Sequence, residues 1–196
     1  MHEKPPKYQQ RQIKSFVDAA FEFNKTHNIF SRKTKEEVYE KDVLECLSLC
    51  KNIQENKTVL DIGSGGGFPG VILSIMKPKN TISLVESSNK KCYFLRKIKH
   101  HLSLENINVI NQKLVKKNNL GLFDIITARA FASTHKILEL TQNNTHKTTK
   151  YLLMKGKEAT TNKELKDIDN IRYKYEIIKQ EVNFFERNLV LIKLHE

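Results

Sequence analysis

Five of the chain's seven glycines, Gly63, Gly65, Gly66, Gly67 and Gly70, fall within eight positions in the run VLDIGSGGGFPG. A packing turn needs one or two such residues. A cluster lets the backbone turn sharply and approach a ligand, and a helix starting behind it presents free N–H groups. Asp61, two residues before the first glycine, can face a cationic group, and Glu86, 25 residues after Asp61, can accept hydrogen bonds from both hydroxyls of a ribose. The chemistry implied is the binding of an adenosine cofactor, with Asp61, Gly65, Gly67 and Glu86 among its contacts.

Two cofactors share that chemistry. Residues Gly65 to Gly70 satisfy G-x-G-x-x-G, the dinucleotide fingerprint. Asp61, however, stands where dinucleotide sites carry an apolar residue, and Asp61-Ile62-Gly63-Ser64-Gly65 has the D-x-G-x-G form of the first motif of S-adenosylmethionine-dependent methyltransferases. A nicotinamide-dependent oxidoreductase also needs a substrate domain or loops with an acid/base, for which 196 residues leave little room.

The elements that must hold these residues can be read from periodicity. Ile13, Phe16, Val17, Ala20 and Phe21 mark an amphipathic helix over about 9–24, and Tyr39, Val43, Cys46, Leu47 and Cys50 mark another over 36–51. Strands are expected at 58–62, 81–86, 107–110, 123–128 and 150–155, with helices between Pro69 and Pro78 and near 88–102, 133–142 and 158–169. Two late strands, about 175–182 and 188–194 and joined through Phe184-Phe185-Glu186, should pair antiparallel. The result is an α/β Rossmann-like domain over 58–196, a mostly parallel twisted sheet with an antiparallel C-terminal edge strand, preceded by a helical extension or cap over 1–57.

Lys and Arg number 34 against 22 Asp and Glu, a net charge of +12. Of the 34, 28 are Lys, and there are 17 Asn, so AT-rich coding accounts for part of the excess. The distribution is more telling, since residues 58–150 hold 14 basic against 5 acidic residues, +9 of the total. A polyanionic partner approaching that region is expected. Lys90, Lys91, Arg96, Lys97 and Lys99 would lie on one helix as candidate RNA contacts, with Lys155 as a candidate phosphate contact, whereas Tyr93 and Phe94 read as core rather than stacking platforms. Arg129 follows the fourth strand at the sheet's ligand-binding edge, where it could touch cofactor, base or phosphate. Three cysteines and seven histidines form no metal-binding pattern, so no metal is expected. No apolar run reaches membrane-span length, and the N-terminal run MHEKPPKYQQRQIK resembles neither a signal nor a transit peptide, so a cytoplasmic protein is expected.

Absences narrow the reaction. Methylation of an exocyclic amine typically uses an Asn/Asp-Pro-Pro-aromatic run after the fourth strand, where this chain has Ala128-Arg129-Ala130-Phe131-Ala132-Ser133. Methylation of a pyrimidine carbon needs a cysteine there, and Cys46, Cys50 and Cys92 lie elsewhere. A nucleophile needing no activation remains, such as guanine N7, for which positioning is most of the task and no catalytic acid or base is required.

The runs VLDIGSGGGFPGVILSIMKP, ESSNKKCYFLRKIKHHLSLENI, FDIITARAFAS, LLMKGK and ERNLVLIK resemble, in order from about Asn24 to the C-terminus, the RsmG (GidB) 16S rRNA guanine-N7 methyltransferases. The resemblance implies a Rossmann-like methyltransferase using S-adenosyl-L-methionine. Its implied target is a guanine N7 in the 530 loop of 16S rRNA, as free rRNA, the small ribosomal subunit or an assembly intermediate. It assigns cofactor contacts to Gly63, Phe68, Leu114, Val115 and Arg129, with Arg129 and Lys155 as positioning residues. The family's His-x-x-Asp-Ser segment is here Asp42-Val43-Leu44-Glu45-Cys46, Val115 stands where many relatives have Glu, and Asn188 replaces a His. An RNA-binding module that keeps the fold without turnover is the alternative.

Overall fold

The computed structural model describes residues 5–182 and 185–195. Helix α1 (Lys7–His27) buries Ile13, Phe16, Val17 and Ala20, and ends at Asn28, whose left-handed backbone (φ 52°) returns its N–H to the Asn24 carbonyl. The helix expected over 36–51 is present, though not regular. It runs as α2 (Lys35–Val38), a π-helical turn (Tyr39–Val43) and α3 (Leu44–Cys50). Thr34 caps its start by accepting the Glu37 N–H at 3.1 Å. In the wide turn the Leu44 N–H reaches back to the Tyr39 carbonyl, and the turn carries Asp42.

Seven strands follow: β1 (Thr58–Ile62), β2 (Thr81–Glu86), β3 (Ile107–Asn111), β4 (Phe123–Arg129), β5 (Thr145–Lys155), β6 (Tyr173–Val182) and β7 (Phe185–Leu194). Their order is β3-β2-β1-β4-β5-β7-β6, with β1 to β5 parallel and β7 antiparallel to both neighbours. The expected antiparallel pairing is present, and the order adds that β7 is inserted beside β5 while β6 forms the edge. Of the expected Phe184-Phe185-Glu186 turn, residues 183 and 184 lie outside the described residues, and the backbone of 185 and 186 already belongs to β7. β5 starts at Thr145, earlier than the apolar run suggests. Its polar first half is anchored by the Thr149 hydroxyl, which donates to the Phe123 carbonyl at 2.7 Å where the register against β4 slips.

Residues of the central strands alternate between two cores, which explains their nearly unbroken apolar sequences. Val59, Leu84, Ile125 and Leu152 face α4 (Gly70–Met76), α5 (Asn89–His101) and the N-terminal helices, through Phe16, Val43, Ile72 and Phe94. Leu60, Val85, Ile126 and Leu153 face α6 (Thr134–Thr141) and α7 (Glu158–Leu165). The N-terminal helices thus share a core with the sheet. Phe94 is buried as expected, but Tyr93, one position along, is turned outward with 62% exposure, because the helix buries only the Cys92, Phe94, Leu95 and Ile98 side. Among the described residues no helix is long and apolar enough to cross a membrane. The carboxyl ends of β1, β2, β4 and β5 bring Ile62, Glu86, Arg129 and Lys155 to one edge of the sheet.

Candidate functional site

The glycine loop leaves β1 and is tied to β2, since the N–H groups of Gly63 and Ser64 both donate to the Val85 carbonyl, at 2.8 and 3.2 Å. Gly63, Gly65 and Gly67 adopt positive φ. At Gly70 the requirement is space: a Cβ there would lie 2.1 Å from Leu84 Cδ2 and 2.6 Å from Asp61 Oδ2. Its absence lets α4 start directly on the buried Asp61, whose Oδ2 accepts the Gly70 N–H at 3.2 Å. Oδ1 is buried with no hydrogen-bond partner among the described residues, and burial pushes the carboxyl up to about 7. This arrangement opposes a pyrophosphate at the helix start. The Gly70 N–H is engaged, Pro69 has none, and a carboxylate sits where the anion would. A dry acid with an unpaired oxygen suits a cation instead.

Glu86 is buried at the end of β2 and held by backbone donors, with Gly65 N–H on Oε2 at 3.0 Å and Ser88 N–H on Oε1 at 2.8 Å. Each oxygen retains a second lone pair, with only a long 3.4 Å contact from the Ser87 hydroxyl competing. Glu86, Gln112, Leu114 and Val115 line a cleft of about 640 Å³. Two acceptors at its margin and the apolar Leu114 and Val115 fit a ribose and an attached base. Asp61 does not line this cleft and lies fully buried beneath the glycine loop, where its carboxyl opposes a pyrophosphate, so the residues present match S-adenosylmethionine better than a dinucleotide.

A second cleft, about 560 Å³, adjoins the first and shares Gly63, Lys91, Ala130 and Phe131 with it. The Phe131 ring covers Gly63 so closely that a Cβ there would come within 2.3 Å of Phe131 Cδ2. Gly65 and Phe68 line this second cleft, whereas Gly67 is buried behind the loop against Val71 and Phe16. Its far side is built by the N-terminal segment. Asp42, 2% exposed, accepts two hydrogen bonds from Arg32 at 2.9 Å each and another from Arg129. Arg129 in turn stands with its guanidinium carbon 5.3 Å from the centre of the Phe68 ring. Glu45, one helical turn after Asp42, lies 3.7 Å from Arg129 and 3.6 Å from Arg187. Burial raises the Glu45 carboxyl above its ordinary range, against the pull of the two arginines. In the sequence Asp42 and Glu45 stand out only as a departure from a family segment. The acids lie on one helix face three residues apart, but their meeting with Arg129, 87 positions beyond Asp42, carries no local signal.

Lys155 reaches the same cleft, with its ammonium engaged internally: Nζ donates to the Ala132 carbonyl at 3.1 Å and to Glu164 at 2.7 Å. Glu164 also accepts the N–H and hydroxyl of Thr134, at the start of α6. The structure therefore places Lys155 as a brace for the 130–134 loop. Asn188 holds the adjacent backbone, donating to the Gly156 carbonyl at 2.7 Å.

Lys90, Arg96 and Lys97 are exposed on α5 together with Tyr93, Lys91 is half-buried at both clefts, and Lys99 donates to the Ile107 carbonyl at 2.7 Å. The basic helix thus starts at the cleft mouth and leads away from it. Cys46, Cys50 and Cys92 are buried thiols whose burial raises their pKa values, to about 12 for Cys50, which does not suit a nucleophile. Among the described residues no group of three or more His, Cys, Asp or Glu could hold a metal ion.

Residues 9–191 match the family model described as rRNA small subunit methyltransferase G. The protein named "Ribosomal RNA small subunit methyltransferase G" in Ruthia magnifica subsp. Calyptogena magnifica is 35% identical over 144 residues, 74% of this chain and 70% of its own length. Its namesake in Francisella tularensis subsp. tularensis (strain WY96-3418) is 35% identical over 173 residues, covering 87% of this chain and 81% of its own. Among solved structures, a SAM-dependent methyltransferase from Aquifex aeolicus superposes with a TM-score of 0.64 at 18% identity, over 80% of this chain and 92% of that one, a likeness of fold.

Proposed function

Because this chain belongs to the rRNA small subunit methyltransferase G family, we propose that it transfers the methyl group of S-adenosylmethionine to N7 of a guanine in the 530 loop of 16S rRNA, in the cytoplasm. The observation that carries the cofactor half of this reading is the pair of acids at the ends of adjacent strands. Asp61 has an unpaired buried oxygen beneath the loop, and Glu86 has two lone pairs open to the cleft. Bound there, S-adenosylmethionine would supply an electrophilic methyl group. Glu86 would orient the ribose, Leu114 and Val115 would flank the adenine, and Asp61 would face the ammonium group.

The second cleft would take the nucleotide to be modified. Guanine N7 has a free lone pair and no proton to lose, so the transfer needs a positioned base and cofactor and no general base. Arg129, fixed by Asp42 and stacked over Phe68, would position the base or a phosphate, and Lys155 would hold the loop that carries Ala130 and Phe131. Lys90, Lys91, Arg96 and Lys97 would guide the RNA backbone toward the mouth.

The test is to incubate unmethylated small subunits with the protein and labelled S-adenosylmethionine, then map the methylated nucleotide. A single N7-methylguanine in the 530 loop is the expected result. Cofactor binding without transfer would leave an RNA-binding module.

A further inference from the structure

Three carboxylates line the second cleft, and they differ in what holds them. Asp42 is engaged by Arg32 and Arg129, and Glu164 by Thr134 and Lys155. Glu45 is 4% exposed, yet no hydrogen bond reaches it among the described residues. Its two nearest cations, Arg129 and Arg187, stand at 3.7 and 3.6 Å, within ion-pair range but beyond hydrogen bonding. A buried carboxylate that keeps its charge neighbours at arm's length and opens on a cleft lacks donors, and leaving it so costs free energy that a ligand can recover. Phe30 and Phe131 line the same cleft, supplying aromatic walls for a planar group.

We propose that Glu45 is the base-recognition residue of this cleft, its two oxygens accepting the N1–H and N2–H of guanine. Among the RNA bases guanine alone offers two adjacent N–H donors on its Watson–Crick edge, spaced for a carboxylate. Adenine and cytosine each present an acceptor beside their amino group, and uracil presents a single N–H between carbonyls. This edge lies across the purine from N7, so a base held by Glu45 leaves N7 free to react. When the N7 lone pair becomes the bond to the methyl carbon, the C–S pair stays on sulfur, no proton leaves, and the purine becomes cationic. A carboxylate on the opposite edge meets that charge as it develops, so Glu45 contributes to the rate of transfer as well as to binding. Burial raises the Glu45 carboxyl, Arg129 and Arg187 oppose that shift, and two N–H donors from the base would add to their pull toward the ionised form.

This inference rests on the guanine-N7 reading, and the test separates the two. Small subunits are reconstituted with guanosine or with inosine, which lacks the N2 amine, at the target nucleotide, and both are methylated by wild-type protein and by Glu45→Gln. For wild type, inosine should lower kcat/KM by roughly tenfold to a hundredfold, the cost of one charge-assisted hydrogen bond. Glu45→Gln should be slow on both substrates, discriminate between them by no more than about twofold, and bind S-adenosylmethionine with wild-type affinity. A merely structural Glu45 would leave the inosine penalty intact in the variant, and that result overturns the proposal. Wild type alone also decides, since equal rates on guanosine and inosine overturn it even if the variant does not fold. Failure of wild type to methylate N7 of guanosine at all would instead overturn the functional reading, and this inference with it.

Discussion

Asp42, in the π-helical turn of the N-terminal segment, and Arg129, at the last position of β4, form an ion pair across 87 positions of sequence. The pair joins the helical extension to the carboxyl edge of the sheet, and Arg32 completes it from the loop before α2. Removing the shared acid leaves two partly buried guanidinium groups without it. Asp42→Asn should therefore cost roughly 2 to 4 kcal/mol, discounted from a fully buried pair for the solvent that both arginines still reach. Arg32→Met should cost less, because Asp42 keeps Arg129. Urea midpoints at constant m-value check both, and equal losses would show that Arg129 is not the stronger partner.

Lys155 and the α5 lysines should separate in a salt titration. Wild-type kcat/KM on small subunits is expected to fall between about 50 and 200 mM salt, with a clear negative slope on logarithmic axes. Lys90→Glu and Lys97→Glu should each flatten that slope by about one unit, since both side chains are exposed. Lys155→Met should lower thermal stability and turnover but leave the slope unchanged, because Nζ is committed to Ala132 and Glu164. A flattened slope in Lys155→Met would return it to the phosphate contacts.

The parts of this molecule that read clearly from sequence are those whose signal is local. β1, β2 and β4 are short apolar runs because both faces are buried, and the glycine loop announces itself by composition. The polar start of β5 is hidden because only Thr145 of residues 145–149 pairs with β4, the register slips before Lys150, and threonine hydroxyls hold the stretch with no apolar alternation to mark it. Tyr93 was misplaced because an aromatic next to core residues looks apolar until the helix phase is fixed by Cys92, Leu95 and Ile98. Glu45 shows in the sequence only as part of a segment that departs from the family's, because its neighbours Arg129 and Arg187 are brought to it only by the folded sheet.

The five glycines should not be equivalent. At Gly70 a methyl group would collide with Leu84 and Asp61 at 2.1 and 2.6 Å, so Gly70→Ala should lose about 1 to 3 kcal/mol by overpacking and weaken cofactor binding through Asp61. At Gly65 the nearest atom to a new Cβ is the Gly63 carbonyl oxygen at 3.7 Å, so the cost is the backbone strain of its φ of +56°, about 1 to 2 kcal/mol. Calorimetric affinities paired with denaturation midpoints distinguish them: cofactor binding should weaken more in Gly70→Ala. The reverse order would mean that Asp61 does not reach the cofactor.

The Asp61 carboxyl, raised to about 7 by burial, gives a pH dependence with a definite sign. In the unfolded chain such a group titrates near ~3.9, so the folded protein retains a proton that the unfolded chain has lost. The stability this contributes is fully present below about pH 4 and is lost as pH rises through about 7. A cation held near this carboxyl reverses the balance by favouring the ionised acid, so binding S-adenosylmethionine should release about nine-tenths of a proton at pH 6 and about half of one at pH 7. Affinity should rise about fivefold from pH 6 to 7, then level off until the cofactor's own ammonium begins to deprotonate near pH ~8. Titration calorimetry in two buffers of different ionisation enthalpy measures the release directly. Asp61→Asn can still accept the Gly70 N–H, so it should fold, bind more weakly and release no proton, and its unliganded melting temperature above pH 7 should equal or exceed that of wild type. Equal proton release by Asp61→Asn and wild type would mean that another group senses the cofactor's charge, and would remove Asp61 from the site.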